Sequence, residues 1–222
     1  PPKPVPVDDA LSFDDAMQAI ATNLAVQLHP GTTRMQATVD RVRAIATQPP
    51  PPALVVIDPF IDAQNGYAIV VGRRMQEAIT ANARELLKTY TFQPLTADAL
   101  LKAAYVMTGS VSFDERGQGR AGKAYRVNVS LTNTKTAIVV AQTSVWLADS
   151  KLDMTPLPIY QDSPVFLNDR YTKGLVETAA MPVGRPAERI YFSQLSTAAL
   201  VAEGQQAFSA DDPKTSLALF QR

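Results

Sequence analysis

Cysteine is absent from the 222 residues and histidine occurs once. Without cysteine there are no disulfides, no thiol catalysis and no cysteine-based zinc or iron–sulfur sites. That absence leaves both the cytoplasm and an oxidising envelope compartment open. One histidine allows neither a Ser-His-Asp spacing nor a histidine cluster. His29 is followed by Pro30 and Gly31, and reads as the last residue of a helix near the negative pole of its dipole. Excess charge is also lacking: Lys plus Arg and Asp plus Glu both number 21. Phosphate backbones call for a basic surface, so a balanced chain argues against nucleic-acid binding unless its charge is segregated. No apolar run reaches the roughly 18 residues of a membrane span. The chain starts at Pro1 and not Met, with no signal peptide, so removal of a leader or lipid-anchor segment is expected.

What is present fits one well-cored domain with a small extra piece, at 46% hydrophobic and 19% charged residues. Residues 1–10 open with PPKPVPV, a proline-rich linker. Ser12 stands where a helix N-cap belongs, with Asp14 and Asp15 in the first turn. Phe13, Met17, Ile20, Leu24 and Leu28 then mark one apolar helix face. A second helix is expected over 32–47, ended by QPPPP.

ALVVIDPF (53–60) is short, nearly all apolar and β-branched, which predicts a strand buried on both faces. A loop, DAQNG, precedes a helix predicted over 67–90. A brief strand is expected over 92–95, then a short helix to Lys102 capped by Thr96. From Tyr105 to Leu147 the pattern is three strands, 105–113, 126–131 and 137–147, joined by tight connections. Prolines punctuate 151–192, expected as an extended segment packed along the domain. Residues 193–222 are alanine-rich and predict two helices around Asp211-Asp212-Pro213. Such a hairpin reads either as one tetratricopeptide-type repeat, with an array beyond it, or as a plain hairpin capping the domain.

Chemistry-bearing motifs are few. Gly117 to Lys123 (GQGRAGK) matches both G-x-G-x-x-G and the start of a phosphate loop. Ala124 occupies the place of the magnesium-holding hydroxyl, and a strand is expected next where the motif needs a helix N-terminus. A basic hairpin tip is the simpler reading. Asp58, Asp62 and Asn65 cluster at the end of the first strand, the ligand-binding edge of many α/β sheets. Their spacing matches no cation loop, and Asp58 before Pro59 is ordinary turn chemistry. Asp153, Asp162 and Asp169 carry no better metal signal. Arg73 and Arg74 read as a solvated helix face or a contact for an acidic patch. Trp146 reads as a half-buried strand residue or a partner anchor.

Pro59-Phe60 at the end of the first strand, Tyr-x-x-x-Gly-Ser at 105–110 and Leu-x-x-x-x-Thr-x-x-x-Val at 131–140 carry a family resemblance. Over 11–148 the chain resembles a bacterial envelope superfamily that includes the TolB amino-terminal domain, CsgG, LpoB and FlgO. The resemblance implies a three-layer α/β sandwich, with a mixed sheet flanked by helices, serving as a non-enzymatic interaction or assembly module. It implies other envelope proteins or secretion machinery as partners, and tethering to the membrane only through a removed anchor. It supplies no catalytic, cofactor or metal residues, and the chain lacks the amphipathic hairpins of the pore-forming member.

The expectation is therefore an α/β domain over 11–150, an extended segment over 151–192 and a helical hairpin over 193–222, acting as a periplasmic adaptor. Two alternatives stand beside it. One is a regulatory or sensory module of a cytoplasmic signalling protein; the other is a nucleotide-binding protein using Gly117 to Lys123. A small ligand near Asp58 to Asn65 is left open.

Overall fold

A computed structural model of the chain describes residues 9–28, 51–114, 124–148, 151–158 and 169–221. The expected linker (1–8), His29, the helix expected over 32–47, the Gly117 loop and Asp162 lie outside the described residues. In chain order the elements are β1 (Ala10–Leu11), α1 (Phe13–Leu28), β2 (Ala53–Ile57), β3 (Ile61–Asp62) and α2 (Val70–Leu86). Then come β4 (Tyr90–Pro94), α3 (Ala97–Lys102), β5 (Tyr105–Asp114), β6 (Ala124–Asn133) and β7 (Val139–Leu147). Four helices close the chain: α4 (Arg170–Ala179), α5 (Arg189–Ser193), α6 (Leu195–Ser209) and α7 (Pro213–Phe220).

The strands form one mixed sheet in the order β1-β7-β6-β5-β2-β4, with β3 also on β5. β2 runs parallel to both β4 and β5, while β5, β6 and β7 form an antiparallel meander. Helices cover both faces. Val55, Met107, Val127, Val129 and Val145 meet Met17, Ile20 and Leu24 of α1 and Met75 and Ile79 of α2. On the other face, Val56, Val106 and Leu95 meet Ala99, Leu175, Tyr191, Leu195 and Ala199. The result is an α/β three-layer sandwich with a mixed sheet flanked by helices and a C-terminal helical hairpin. Val55 and Val56 are both fully buried on opposite faces of β2, as an apolar run without a wet side requires.

Local chemistry explains most boundaries. The Ser12 hydroxyl accepts from the Asp15 N–H at 3.3 Å and donates to the Asp15 carboxylate at 2.6 Å, closing the first turn of α1. Thr96 caps α3 by accepting from the Ala99 N–H. The helix expected over 67–90 is shorter, because Ala68 and Ile69 bridge to Ile61 and Pro156 before helix begins.

The segment expected to be extended between 151 and 192 departs most from expectation, since it contains α4 and α5. Asp169 caps α4 by accepting from the N–H groups of Tyr171 and Thr172. Leu175, Thr178 and Ala179 are buried on one face of that helix. Pro156 and Pro186 sit in β-bridges, to Ile69 and Ile138, so those prolines stitch the segment to the domain.

Two close approaches fix the packing. A Cβ at Gly109 of β5 would lie 2.5 Å from the Phe60 ring, so glycine there lets Phe60 lie on the strand. Gly204 of α6 makes the same kind of room for Phe220 of α7, where a Cβ would lie 2.7 Å from the ring.

Candidate functional site

Between β2 and β3 the chain leaves the sheet for Asp58, Pro59 and Phe60; Ile57 pairs with Met107 and Ile61 with Ser110, so this side advances one residue more than β5 across the detour. The Asp58 N–H donates to the Met107 carbonyl at 2.9 Å, and Gln76 Nε2 donates to the Asp58 carbonyl at 2.7 Å. The detour therefore has a fixed shape. It lies at the C-terminal end of a parallel strand, where open α/β sheets hold their ligands.

The Asp58 side chain enters a buried chain of hydroxyls. Tyr191 of α5 donates its hydroxyl to Asp58 Oδ2 at 2.8 Å. The Thr108 hydroxyl of β5 lies 2.8 Å from the same phenol oxygen. Because that phenol proton is committed to Asp58, Thr108 is the donor in the second bond. Asp58 is 4% exposed, and Thr108 and Tyr191 are wholly buried. Burial pushes the Asp58 carboxyl up to about 7, only partly opposed by the Tyr191 hydrogen bond. Burial, reinforced by the Asp58 charge, also pushes the Tyr191 phenol well above its ordinary range.

Two cavities flank this detour. One, of about 330 Å³, is walled by Asp58, Ile61, Asp169, Tyr171, Leu175 and Val201, among others. The other, of about 590 Å³, lies between α2, the end of β4 and α6. Arg73, Gln76, Thr80 and Arg84 line it from one face of α2, at helical spacing. The Thr80 hydroxyl is buried there with no hydrogen-bond partner among the described residues. Pro59, Ala202 and Gln205 belong to both walls.

The structure separates residues that the sequence grouped together. Asp62 does not join Asp58; its carboxylate accepts from the Gln64 N–H at 2.9 Å and from Asn65 Nδ2 at 2.7 Å. Asn65 Oδ1 in turn accepts from the Tyr67 N–H, so both side chains shape the DAQNG turn. Asp153 accepts from the Thr155 N–H in a similar local turn. Among the described residues, no three His, Asp or Glu side chains converge as a metal would need. Arg73 and Arg74 are exposed, and the Arg74 guanidinium lies 4.0 Å above the Phe13 ring, joining α2 to α1. Trp146 is half-buried with Arg126 over its ring at 5.5 Å. β6 begins at Ala124, immediately after Lys123, so a strand stands where a phosphate loop has its helix.

Tyr191 and Thr108, which complete the buried constellation, carried no sequence signal of their own. Thr108 shares its strand face with Ser110 and Val106, a pattern that marks a semi-polar face and no specific partner. No family model matches the chain, and no curated protein matches it.

Proposed function

We propose that the chain is a non-enzymatic protein–protein interaction module of the bacterial cell envelope, an adaptor or accessory factor in assembly or secretion. The α/β sandwich is the scaffold and the C-terminal hairpin presents the contact surface. One observation carries this reading: Ser216 is the only buried residue of α7. A helix in an isolated domain normally hides an apolar stripe. Here Leu217 and Phe220 are 60% and 46% exposed, and Val201 and Phe208 on α6 are 40% and 47% exposed. Leu101, 85% exposed, projects from α3, which packs beside α6 and is tied to it by the Ala97 N–H and the Glu203 carboxylate.

Exposed aliphatic and aromatic side chains grouped on one hairpin mark an interaction face. The sequence resemblance to envelope assembly modules supplies the setting. The partner that fits is a helix with its own apolar stripe, laid against α6 and α7 as α7 is laid against α6. A photo-crosslinking residue in place of Leu217, introduced in envelope-derived cells, is expected to capture a discrete partner. The same residue in place of exposed Lys88, in the turn after α2, serves as the control. Identical adduct patterns at both positions would reject the hairpin as the contact surface.

A further inference from the structure

The smaller cavity has a chemistry of its own. Among the described residues its wall contains two carboxyl groups, Asp58 and Asp169, and no Lys, Arg or His. Asp169 is engaged at the N-terminus of α4, where it accepts from Tyr171 and Thr172. Asp58 differs. Among the described residues, its carboxyl receives one hydrogen bond, from Tyr191 to Oδ2, and no cation approaches it. A carboxylate taken out of water with a single neutral donor lacks the counter-charge that would offset its desolvation. The rest of the wall is mostly apolar, from Ile61, Leu175 and Val201, with the Tyr171 ring among them. The volume of about 330 Å³ lies at the small end of ligand pockets.

We propose that this cavity binds a small organic amine, its ammonium group paired with Asp58 and its short apolar body held by Ile61, Leu175, Val201 and the Tyr171 ring. Each part of the wall has a role in that choice. An anion would meet two carboxyl groups and no base. A divalent metal would lack its third acidic or imidazole ligand among the described residues. An ammonium group gains an ion pair in a low-dielectric site and an aromatic face beside it. The Thr108–Tyr191 hydroxyl chain holds the carboxyl in place from behind.

The groups facing Asp58 fix the pH dependence. They are Tyr191 from α5, Thr108 from β5 and Gln76 from α2, with Asp169 and Tyr171 sharing the cavity wall. None of these becomes cationic. The site therefore binds an ammonium ion only when Asp58 has lost its proton, and binding releases that proton.

Isothermal titration with isoamylamine and phenethylamine, against isoamyl alcohol and phenylethanol as neutral counterparts, tests this directly. Both amines are expected to bind at least about tenfold more tightly than their alcohols, a difference of about 1.4 kcal/mol. Below pH 7, amine affinity should rise by about tenfold per pH unit, with proton release shown by titration in buffers of different ionisation enthalpy. Asp58→Asn should remove the preference for amines. Val201→Trp, which fills the cavity while leaving Asp58 untouched, should abolish binding of all four probes. Equal binding of amines and alcohols, unchanged amine affinity in either folded variant, or no heat with any probe would overturn the proposal. Val201 belongs both to the cavity wall and to the proposed contact face, but the titrations use the chain without any protein partner, so their outcome is independent of the envelope-adaptor reading.

Discussion

Replacing Asp58 with Asn keeps the shape of the side chain and its acceptor for the Tyr191 hydroxyl, and removes only the ionisation. In the folded protein the carboxyl is raised from its ordinary 3.8 to about 7. The native state therefore holds a proton that the unfolded chain gives up first. The stability linked to this proton is complete below about pH 4 and is lost as pH rises through about 7. Each unit of displacement is worth about 1.4 kcal/mol, so the whole effect is about 4 kcal/mol between those limits. Asp153, Asp212 and Glu85 have lowered carboxyl pKa values from local hydrogen bonds and, for Glu85, from Lys88, and act in the opposite sense. They are common to both proteins and cancel in the comparison. Urea unfolding of wild type and Asp58→Asn at half-unit steps from pH 4 to 8.5 gives the difference curve. The variant should gain on wild type by about 1.4 kcal/mol per pH unit up to about 7, then hold a constant advantage. Parallel stability curves across the range would refute the claim that Asp58 is buried without a counter-charge.

Removing the Tyr191 hydroxyl deletes the bond that opposes burial, so Tyr191→Phe should raise the Asp58 carboxyl further, read by carboxyl-carbon NMR titration. The same variant leaves Thr108 and Asp58 without their shared partner and should cost about 1–3 kcal/mol in urea unfolding. Gly109→Ala should cost about 1–3 kcal/mol by forcing the Phe60 ring from β5, and trimming Phe60 to Leu in the same chain should recover part of it. Gln27 of α1 accepts from the Gln142 N–H at 3.0 Å and donates to the Gln142 carbonyl at 2.8 Å. Gln27→Ala should therefore cost about 1–3 kcal/mol and speed amide exchange at Gln142.

Much of the scaffold could be read from local patterns. ALVVI between prolines and the Asp-Pro pair identified an inner strand, and it lies between β4 and β5 with Val55 and Val56 buried. Period-two alternation gave the meander, and Ser12 and Thr96 were caps as their positions required. α4 escaped because its stripe, running through Leu175, Thr178 and Ala179, is flanked by prolines that suggested irregular chain. The candidate site was less legible. Asp58 stood out only as one of several acidic residues near a turn, while its partner Tyr191 is 133 residues away in sequence. Nothing in periodicity or spacing links such a pair. Their meeting follows from α5 packing over the face of β5 that carries Thr108, a tertiary event that local chemistry does not encode.

Pro59, Ala202 and Gln205 form a party wall between the two chambers beside β2. Neither chamber can be enlarged or crowded at that boundary without resizing its neighbour. A bulky side chain at 202 would narrow both rooms at once, whereas one at Arg84 or at Thr197 would alter only the room it borders.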